Sequence, residues 1–292
     1  MCLVVAAATW LIPELVGAAA GKPIEIFVSI LPQKYFVEHI GGEMVNVHVM
    51  VGPGQSPATY EPTPKQMAAL TQADIYFRIG TPFEDVWMDR IIASNPALTI
   101  IDARDAIELR PIEHSNVLSQ PFAGHGTHTH GSQDPHIWTN PLNVKKFMWH
   151  FTDALSMVAP QYKSLFEHNY RQFAAQLDEL DDKIQAIFHN TPTKHFLVFH
   201  PSWGYFAERY GLVQISIELE GKTPNAKELA AVIDYAKQHH IKRVYVQTQF
   251  SQKDAQAVAK AIGGKVIAVD PLAEDYIDNL LYVAQQLAGS MT

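Results

Sequence analysis

The feature that most constrains the fold is a regular alternation of short apolar strands with helices, and it occurs twice along the chain. Four strand–helix units run from residue 24 to about residue 103, and four more run from residue 195 to the end. Strands that alternate with helices form parallel sheets, because each helix carries the chain back across its sheet. We therefore expect an α/β fold with two parallel four-stranded sheets.

One long helix is predicted between the two sets. Residues 161–189 contain neither Gly nor Pro, and their apolar residues recur at helical spacing. A helix of this length spans roughly 40 Å and can brace two domains. The predicted divisions are a signal peptide at 1–20, an N-terminal βα domain at 21–142 with a His-rich loop at 113–135, a helical segment at 143–190 that includes the linking helix, and a C-terminal βα domain at 191–292.

The first twenty residues are typical of a secretory signal. Residues 2–12 are apolar, and Ala18 and Ala20 occupy the −3 and −1 positions of a cleavage site before Gly21. A basic start is absent, so a buried N-terminal helix is the alternative. No other stretch is long and apolar enough to cross a bilayer. We expect an exported, soluble periplasmic protein with no membrane span in its mature chain.

Composition narrows the possible partners and metal ligands. The net charge is −8 and no run of Lys or Arg occurs, which argues against nucleic acid as a partner. Cys2, inside the predicted signal, is the single cysteine among 292 residues. Disulfides and thiolate zinc sites are therefore excluded from the mature chain. Any metal must be held by His, Asp, Glu or main-chain oxygen.

Polar residues follow the predicted strands where a ligand is expected. Sheets of this type bind ligands beyond the carboxyl ends of their strands. His200, Gln247 and Asp270 each follow an apolar strand, and the loop after the fourth strand ends in His136. Alternatively, His200 is a hydrogen-bonded core histidine and Asp270 caps a turn. Imidazole nitrogen with carboxylate oxygen suits zinc, with manganese or iron possible.

The segment before His136 holds three more histidines. His125, His128 and His130 lie in a Gly/Thr-rich stretch that is either a solvated tract or a mobile means of capturing metal. The following Asp134-Pro135-His136-Ile137-Trp138 is more compact, because Pro135 restricts its neighbour and Trp138 can anchor the segment by burial. This favours His136 as a fixed metal ligand.

Catalytic motifs are missing from the sequence. No GxSxG, HExxH or P-loop motif occurs, and the one thiol lies in the predicted signal. Glu61 or Glu220 would be available as a general base for metal-assisted hydrolysis, but nothing in their surroundings supports that role. We expect a protein that is not an enzyme.

Taken together, these motifs resemble the metal-binding periplasmic components of ABC importers, a family that includes zinc-uptake receptors and TroA- and PsaA-like adhesins. The resemblance covers nearly the whole mature chain. Its segments, in order, are YEPTPKQ (60–66), ADIYFRIG (73–80), DPHIWTNP (134–141), the long helix, VFHPSWGYFAERYGL (198–212), VQTQFS (246–251) and VDPLAEDY (269–276). It implies two βα domains joined by a rigid helix, with a metal in the cleft between them.

The resemblance also implies metal ligands at His136, His200 and Asp270, and a membrane permease as partner. Histidine at the position of His200 is typical of zinc-type members. The family's first ligand, a histidine, is replaced here by Ala58, and Gln247 stands where many relatives carry Glu. Either the site has three protein ligands and water, or a replacement comes from His125, His128 or His130, or less readily from Tyr60 or Glu61.

The resulting expectation is a monomeric, high-affinity zinc receptor that delivers metal to an ABC importer. Within the same fold, a manganese, iron or metal-chelate receptor is the alternative. From other classes, a periplasmic metal chaperone and a metal-dependent hydrolase remain open. A catalytic site should show turnover, and a receptor should not.

Overall fold

The computed structural model describes residues 22–112, 133–218, 224–250 and 252–291. The predicted signal peptide and the histidines at 125, 128 and 130 lie outside these ranges. Glu220, considered above as a general base, lies outside them as well.

The first sheet is built from four parallel strands in the order β2-β1-β3-β4. Its elements are β1 (Ile24–Ile30), α1 (Leu31–Gly41), β2 (Val45–Val51), α2 (Pro64–Leu70), β3 (Ile75–Arg78), α3 (Pro82–Ser94) and β4 (Thr99–Asp102). Each of the three helices has proline in its first turn, where the missing N–H costs no hydrogen bond. The central strand β1 is almost entirely buried, as expected for a parallel sheet covered on both faces.

The second sheet repeats the arrangement with the order β6-β5-β7-β8, again all parallel. Its elements are β5 (His195–Val198), α6 (Gly204–Arg209), β6 (Val213–Ser216), α7 (Ala226–Gln238), β7 (Arg243–Val246), α8 (Gln252–Ala261), β8 (Lys265–Ala268) and α9 (Tyr276–Ala288). The two sheets confirm the predicted α/β class.

Two helices lie between the sheets in the sequence. These are α4 (Pro141–Val158) and α5 (Lys163–Phe188), and Pro160 lies between them. Helix α5 contacts both halves: Asn169 donates a hydrogen bond to the carbonyl of Ile40, and Asp181 accepts hydrogen bonds from Arg209 and Tyr210. The long helix therefore braces the two domains, as predicted.

A single large apolar core runs through both halves. It includes Phe36 from α1, Phe147 from α4, Phe173 from α5 and Tyr276 from α9. Rings of Phe36 and Tyr276 meet edge to face with centroids 4.7 Å apart. A smaller cluster lies under α7 and α8. Within the described ranges, every helix is too short or too polar to cross a lipid bilayer.

Candidate metal-binding cleft

A cleft of about 530 Å³ lies where the carboxyl ends of the strands of both sheets face each other. Its walls come from the segments that follow β2, β3 and β4 on one side and β5, β7 and β8 on the other. Among the lining residues are Ala58, Gly80, Arg104, His136, His200, Gln247, Phe250 and Leu272. The cleft is therefore at the place where folds of this class bind their ligands.

His136 is held in the cleft by the buried carboxylate of Asp134. The Nδ1 atom of His136 lies 2.8 Å from Oδ1 of Asp134, and the main-chain N–H of His136 donates to the same oxygen at 3.0 Å. Asp134 is 2% exposed. The neighbouring Trp138 anchors the segment as expected, because its indole N–H donates to the carbonyl of Pro271 at 2.7 Å. This hydrogen bond also ties the segment to the opposite half of the molecule.

His200 has a matching carboxylate partner. Its Nδ1 atom lies 2.6 Å from Oε2 of Glu218, which is buried just beyond the end of β6. The ring of Phe250 stacks on the imidazole with centroids 4.8 Å apart. Burial lowers the pKa of His200 below its ordinary value, although the hydrogen bond to Glu218 acts in the opposite direction. His200 is therefore held neutral more firmly than an exposed histidine.

The two imidazoles lie side by side, with ring centroids 5.3 Å apart. In each ring the Nδ1–H donates to a carboxylate, so the lone pair resides on Nε2. A histidine that binds metal through one nitrogen commonly donates its other N–H to a carboxylate, which fixes its tautomer and orientation. Both histidines are thus oriented to act as nitrogen ligands through Nε2.

The side chain of Gln247 holds the main chain of His200 in place through hydrogen bonds. Its side-chain N–H donates to the carbonyl of His200 at 2.8 Å and also to the hydroxyl of Ser202, while its oxygen accepts the N–H of His200 at 3.4 Å. The residue is 1% exposed. An amide both donates and accepts, whereas an ionised carboxylate only accepts. Glutamine therefore suits this position in a way that glutamate does not.

Asp270 follows β8, at the same edge of the second sheet as His200, but its carboxylate is hydrogen-bonded to nearby residues. It accepts hydrogen bonds from Thr248, Gln249 and the main-chain N–H of Leu272, at 3.1, 3.1 and 2.9 Å. Across the described ranges, no three His, Cys, Asp or Glu residues form a group ready to hold a metal. The structure brings His136 and His200 together, and it does not add Asp270 to that pair.

Ala58 lines the cleft, so the position where the resemblance implies a histidine faces this cavity. Tyr60 is buried against Phe83, and its hydroxyl donates to Gln66 at 2.6 Å. Glu61 is exposed, and neither Tyr60 nor Glu61 is among the residues that line the cleft. We therefore leave Tyr60 and Glu61 out of the metal site.

The lining of the cleft also carries a cation, Arg104. Arg104 binds Asp102 through Nε and Nη2, with a shortest distance of 2.7 Å. Its aliphatic part crosses Gly80, where a Cβ atom would lie 2.4 Å from Cδ of Arg104. Gly80 also has φ of +89°, a conformation that favours glycine. The glycine thus makes room for the arginine at the edge of the cleft.

The contacts that Asp134, Glu218 and Gln247 make with the two histidines were not predicted from the sequence. Glu218 lies two residues beyond the end of β6 at Ser216. A charged residue at the end of an otherwise apolar run was the available signal. Gln247 was noted only as a departure from the family pattern.

Comparison with known proteins gives a consistent result. The chain matches the family model for the periplasmic zinc-uptake complex component A over residues 26–290. It is 30% identical to a putative metal-binding protein of Chlamydia trachomatis serovar D, with 91% of each chain covered. It is 26% identical to the high-affinity zinc uptake system protein ZnuA of Bacillus subtilis, covering 86% of this chain and 79% of the relative.

Solved structures agree with the sequence comparison. A zinc-bound crystal structure of a ZnuA deletion mutant superposes with a TM-score of 0.84 and 39% identity, covering 93% of this chain and 99% of the other. The family match spans nearly all of the described residues and includes both histidines of the cleft. The chain therefore belongs to the family of the periplasmic zinc-uptake complex component A.

Proposed function

We propose that this protein is an exported zinc receptor that delivers the metal to an ABC-type importer. The observation that carries the proposal is the pair of histidines in the cleft, each held through Nδ1 by a buried carboxylate. In this proposal His136 and His200 bind zinc through Nε2. Asp270 supplies a carboxylate oxygen from the end of β8 after a local rearrangement of its hydrogen bonds. The zinc ion is cargo and not a resident cofactor.

The nature of the ligands supports zinc over its rivals. Two neutral imidazoles and one carboxylate form a set that zinc readily accepts, with nitrogen at about 2.0–2.1 Å. Manganese prefers carboxylate, carbonyl and water oxygens, so a site with two nitrogen donors suits manganese less well than zinc. The Bacillus subtilis relative is named a high-affinity zinc uptake protein, and the ZnuA structure contains zinc. Both similarities favour the same cargo here.

Membership of this family supports a receptor rather than an enzyme, and a permease as the partner. The family description places its members in the periplasm, which agrees with the signal peptide predicted at residues 1–20. A receptor of this kind binds its cargo in the cleft and releases it at the membrane. We therefore expect stoichiometric zinc binding without turnover of any substrate.

Competition titration against a fluorescent zinc chelator tests the binding proposal. His136→Ala, His200→Ala and Asp270→Ala should each abolish tight binding, because each removes one proposed ligand. His168→Ala, on the exposed side of α5, is the matched control and should bind zinc like the parent. Parent-like affinity in His136→Ala or His200→Ala would overturn the proposal.

Delivery to an importer is tested separately. Loss of the protein should reduce zinc accumulation by cells grown under zinc limitation, and the parent gene should restore it. Restoration by the His200→Ala variant would show that uptake does not depend on the cleft.

A further inference from the structure

The proposed zinc site leaves a coordination position to be filled. Zinc in proteins is usually four-coordinate, and His136, His200 and Asp270 supply three ligands. The wall beside them carries Ala58, whose side chain has no donor atom. The fourth ligand must therefore be water, another part of the chain or a molecule that enters with the metal.

The size of the cleft favours a molecule that enters with the metal. Its volume is about 530 Å³, whereas one water molecule takes up only about 30 Å³. Cavities of about 300–1,000 Å³ are those in which proteins bind small organic molecules. Zinc with a single water would leave most of the space unused.

The lining of the cleft indicates the chemistry of that molecule. Apolar side chains, including Leu109, Ile112 and Leu272, cover much of the wall, and the amides of Gln133 and Gln249 are interspersed among them. Among the described residues of the wall are one arginine, Arg104, and two carboxylates. Asp85 lies 3.7 Å from Arg78, and Asp134 is hydrogen-bonded to His136. The guanidinium of Arg104 uses its Nε and Nη2 atoms for Asp102. Arginine has a further donor, Nη1, that can bind a carboxylate.

We propose that zinc binds in this cleft as a complex with a small carboxylate-bearing chelator of the amino-acid type. The chelator supplies the nitrogen ligand that Ala58 does not, and its carboxylate pairs with Arg104. This inference rests on the proposed function, because it assumes zinc on His136 and His200. It deepens that function by naming the cargo as a chelate and not the bare ion.

Native mass spectrometry with L-histidine as the probe tests the inference. The parent protein is incubated with zinc alone, with L-histidine alone and with both, and then desalted. We expect a species that carries one zinc and one histidine, and we expect no retained histidine when zinc is omitted. Imidazole in place of histidine supplies nitrogen without a carboxylate and should be retained far less.

Two variants locate the chelator. Ala58→His places an imidazole where the fourth ligand is missing, so it should retain zinc and lose the bound histidine. Arg104→Gln removes the positive charge and should weaken histidine retention about tenfold, the effect of one lost charge-assisted hydrogen bond. Arg90→Gln removes an arginine stacked on Trp87, outside the cleft lining, and should match the parent.

The possible failures are distinguishable. Zinc retained by the parent with no histidine under any condition would overturn the chelate and leave the zinc receptor intact. Absence of zinc from the parent in every condition would overturn the proposed function itself. Unchanged histidine retention in Ala58→His would show that the chelator does not occupy the fourth position.

Discussion

Glu218 Oε2 lies 2.6 Å from Nδ1 of His200, and this contact decides which nitrogen of the ring is available to a metal. Asp134 has the same relationship to His136 at 2.8 Å. The two carboxylates come from different halves of the chain, yet each directs the lone pair of one imidazole to Nε2. The cleft is thus organised by four residues, of which two would touch the metal.

Replacing Glu218 should weaken zinc binding without removing a ligand. We expect Glu218→Ala to reduce zinc affinity by about 10–100-fold, the usual effect of losing such a partner. Glu218→Gln keeps an acceptor oxygen and should recover most of the loss. Competition titration measures both variants. Equal affinity in Glu218→Ala and the parent would contradict the role assigned to this carboxylate.

Gln247→Glu should destabilise the metal-free protein. The new carboxylate would face the carbonyl of His200 in a site that is 1% exposed, and it would have no N–H to donate. The expected cost is about 1–3 kcal/mol of unfolding free energy, which thermal unfolding measures. Gln238→Glu, at the exposed end of α7, is the control. An unchanged Tm in Gln247→Glu would show that the amide is not needed there.

Acidification should release zinc from the protein. The release should occur at a lower pH than from a site built of exposed histidines. Burial lowers the pKa of His200, so the neutral ring that binds metal persists to a lower pH than in an ordinary histidine, whose pKa is about 6.5. The unfolded chain binds the proton more readily, so the metal-free protein loses stability as pH falls through the interval between the unfolded and folded pKa values. Measuring zinc occupancy as the pH is lowered from 7 gives the pH at which the metal is released. Complete release above pH 6.5 would contradict this prediction.

The histidines at 125, 128 and 130 are the other possible source of a fourth ligand. Since we assign that position to a chelator, the combined replacement of His125, His128 and His130 by Ala should keep the affinity for zinc with L-histidine close to that of the parent. Competition titration in the presence of the amino acid measures it. A large loss would return the fourth ligand to this segment of the chain.

Asp181 should contribute to stability above the acid range. Burial alone would raise its pKa, but hydrogen bonds from Arg209, Gln185 and Tyr210 outweigh burial, and the pKa is lowered. The stabilisation is present above the pKa of the unfolded carboxyl and is lost as pH falls through the lower folded value. Asp181→Asn should cost about 1.5–3 kcal/mol at pH 7 because it removes the negative charge that accepts the hydrogen bonds of Arg209.

Thermal unfolding of this variant at pH 7 and in acid checks the prediction. The difference from the parent should shrink as the pH falls. Asp153→Asn, on the exposed side of α4, is the control. A difference that stays constant with pH would exclude the charge as its cause.

The strands, the long helix and His136 and His200 were predictable because their signals are local. An apolar run of fixed length indicates a strand, and a polar residue at its end indicates the ligand edge of the sheet. The positions of Asp134 and Glu218 beside the two imidazoles were not predictable. Those contacts depend on the path of the loops after the strands, which no periodic pattern specifies.

In helix α3 as well, the sequence pattern did not predict which side chains are buried. The periodicity of Phe83, Val86, Trp87 and Ile91 predicts one apolar face, yet Val86 is 69% exposed and Glu84 is fully buried. Glu84 accepts the main-chain N–H groups of Ile79 and Gly80, at 2.9 and 2.8 Å, and bonds to Arg78. A side chain that completes the hydrogen bonds of a neighbouring strand end can lie inside despite its charge.

Helix α5 and the core that it shares with both sheets determine how the molecule comes apart. Asn169 ties the helix to the first half and Asp181 ties it to the second, so neither half has a complete interior of its own. Fragments produced by cutting this helix would expose aromatic surface and should refold only together. For a zinc receptor, this shared interior means that both walls of the cleft are carried by one cooperative body.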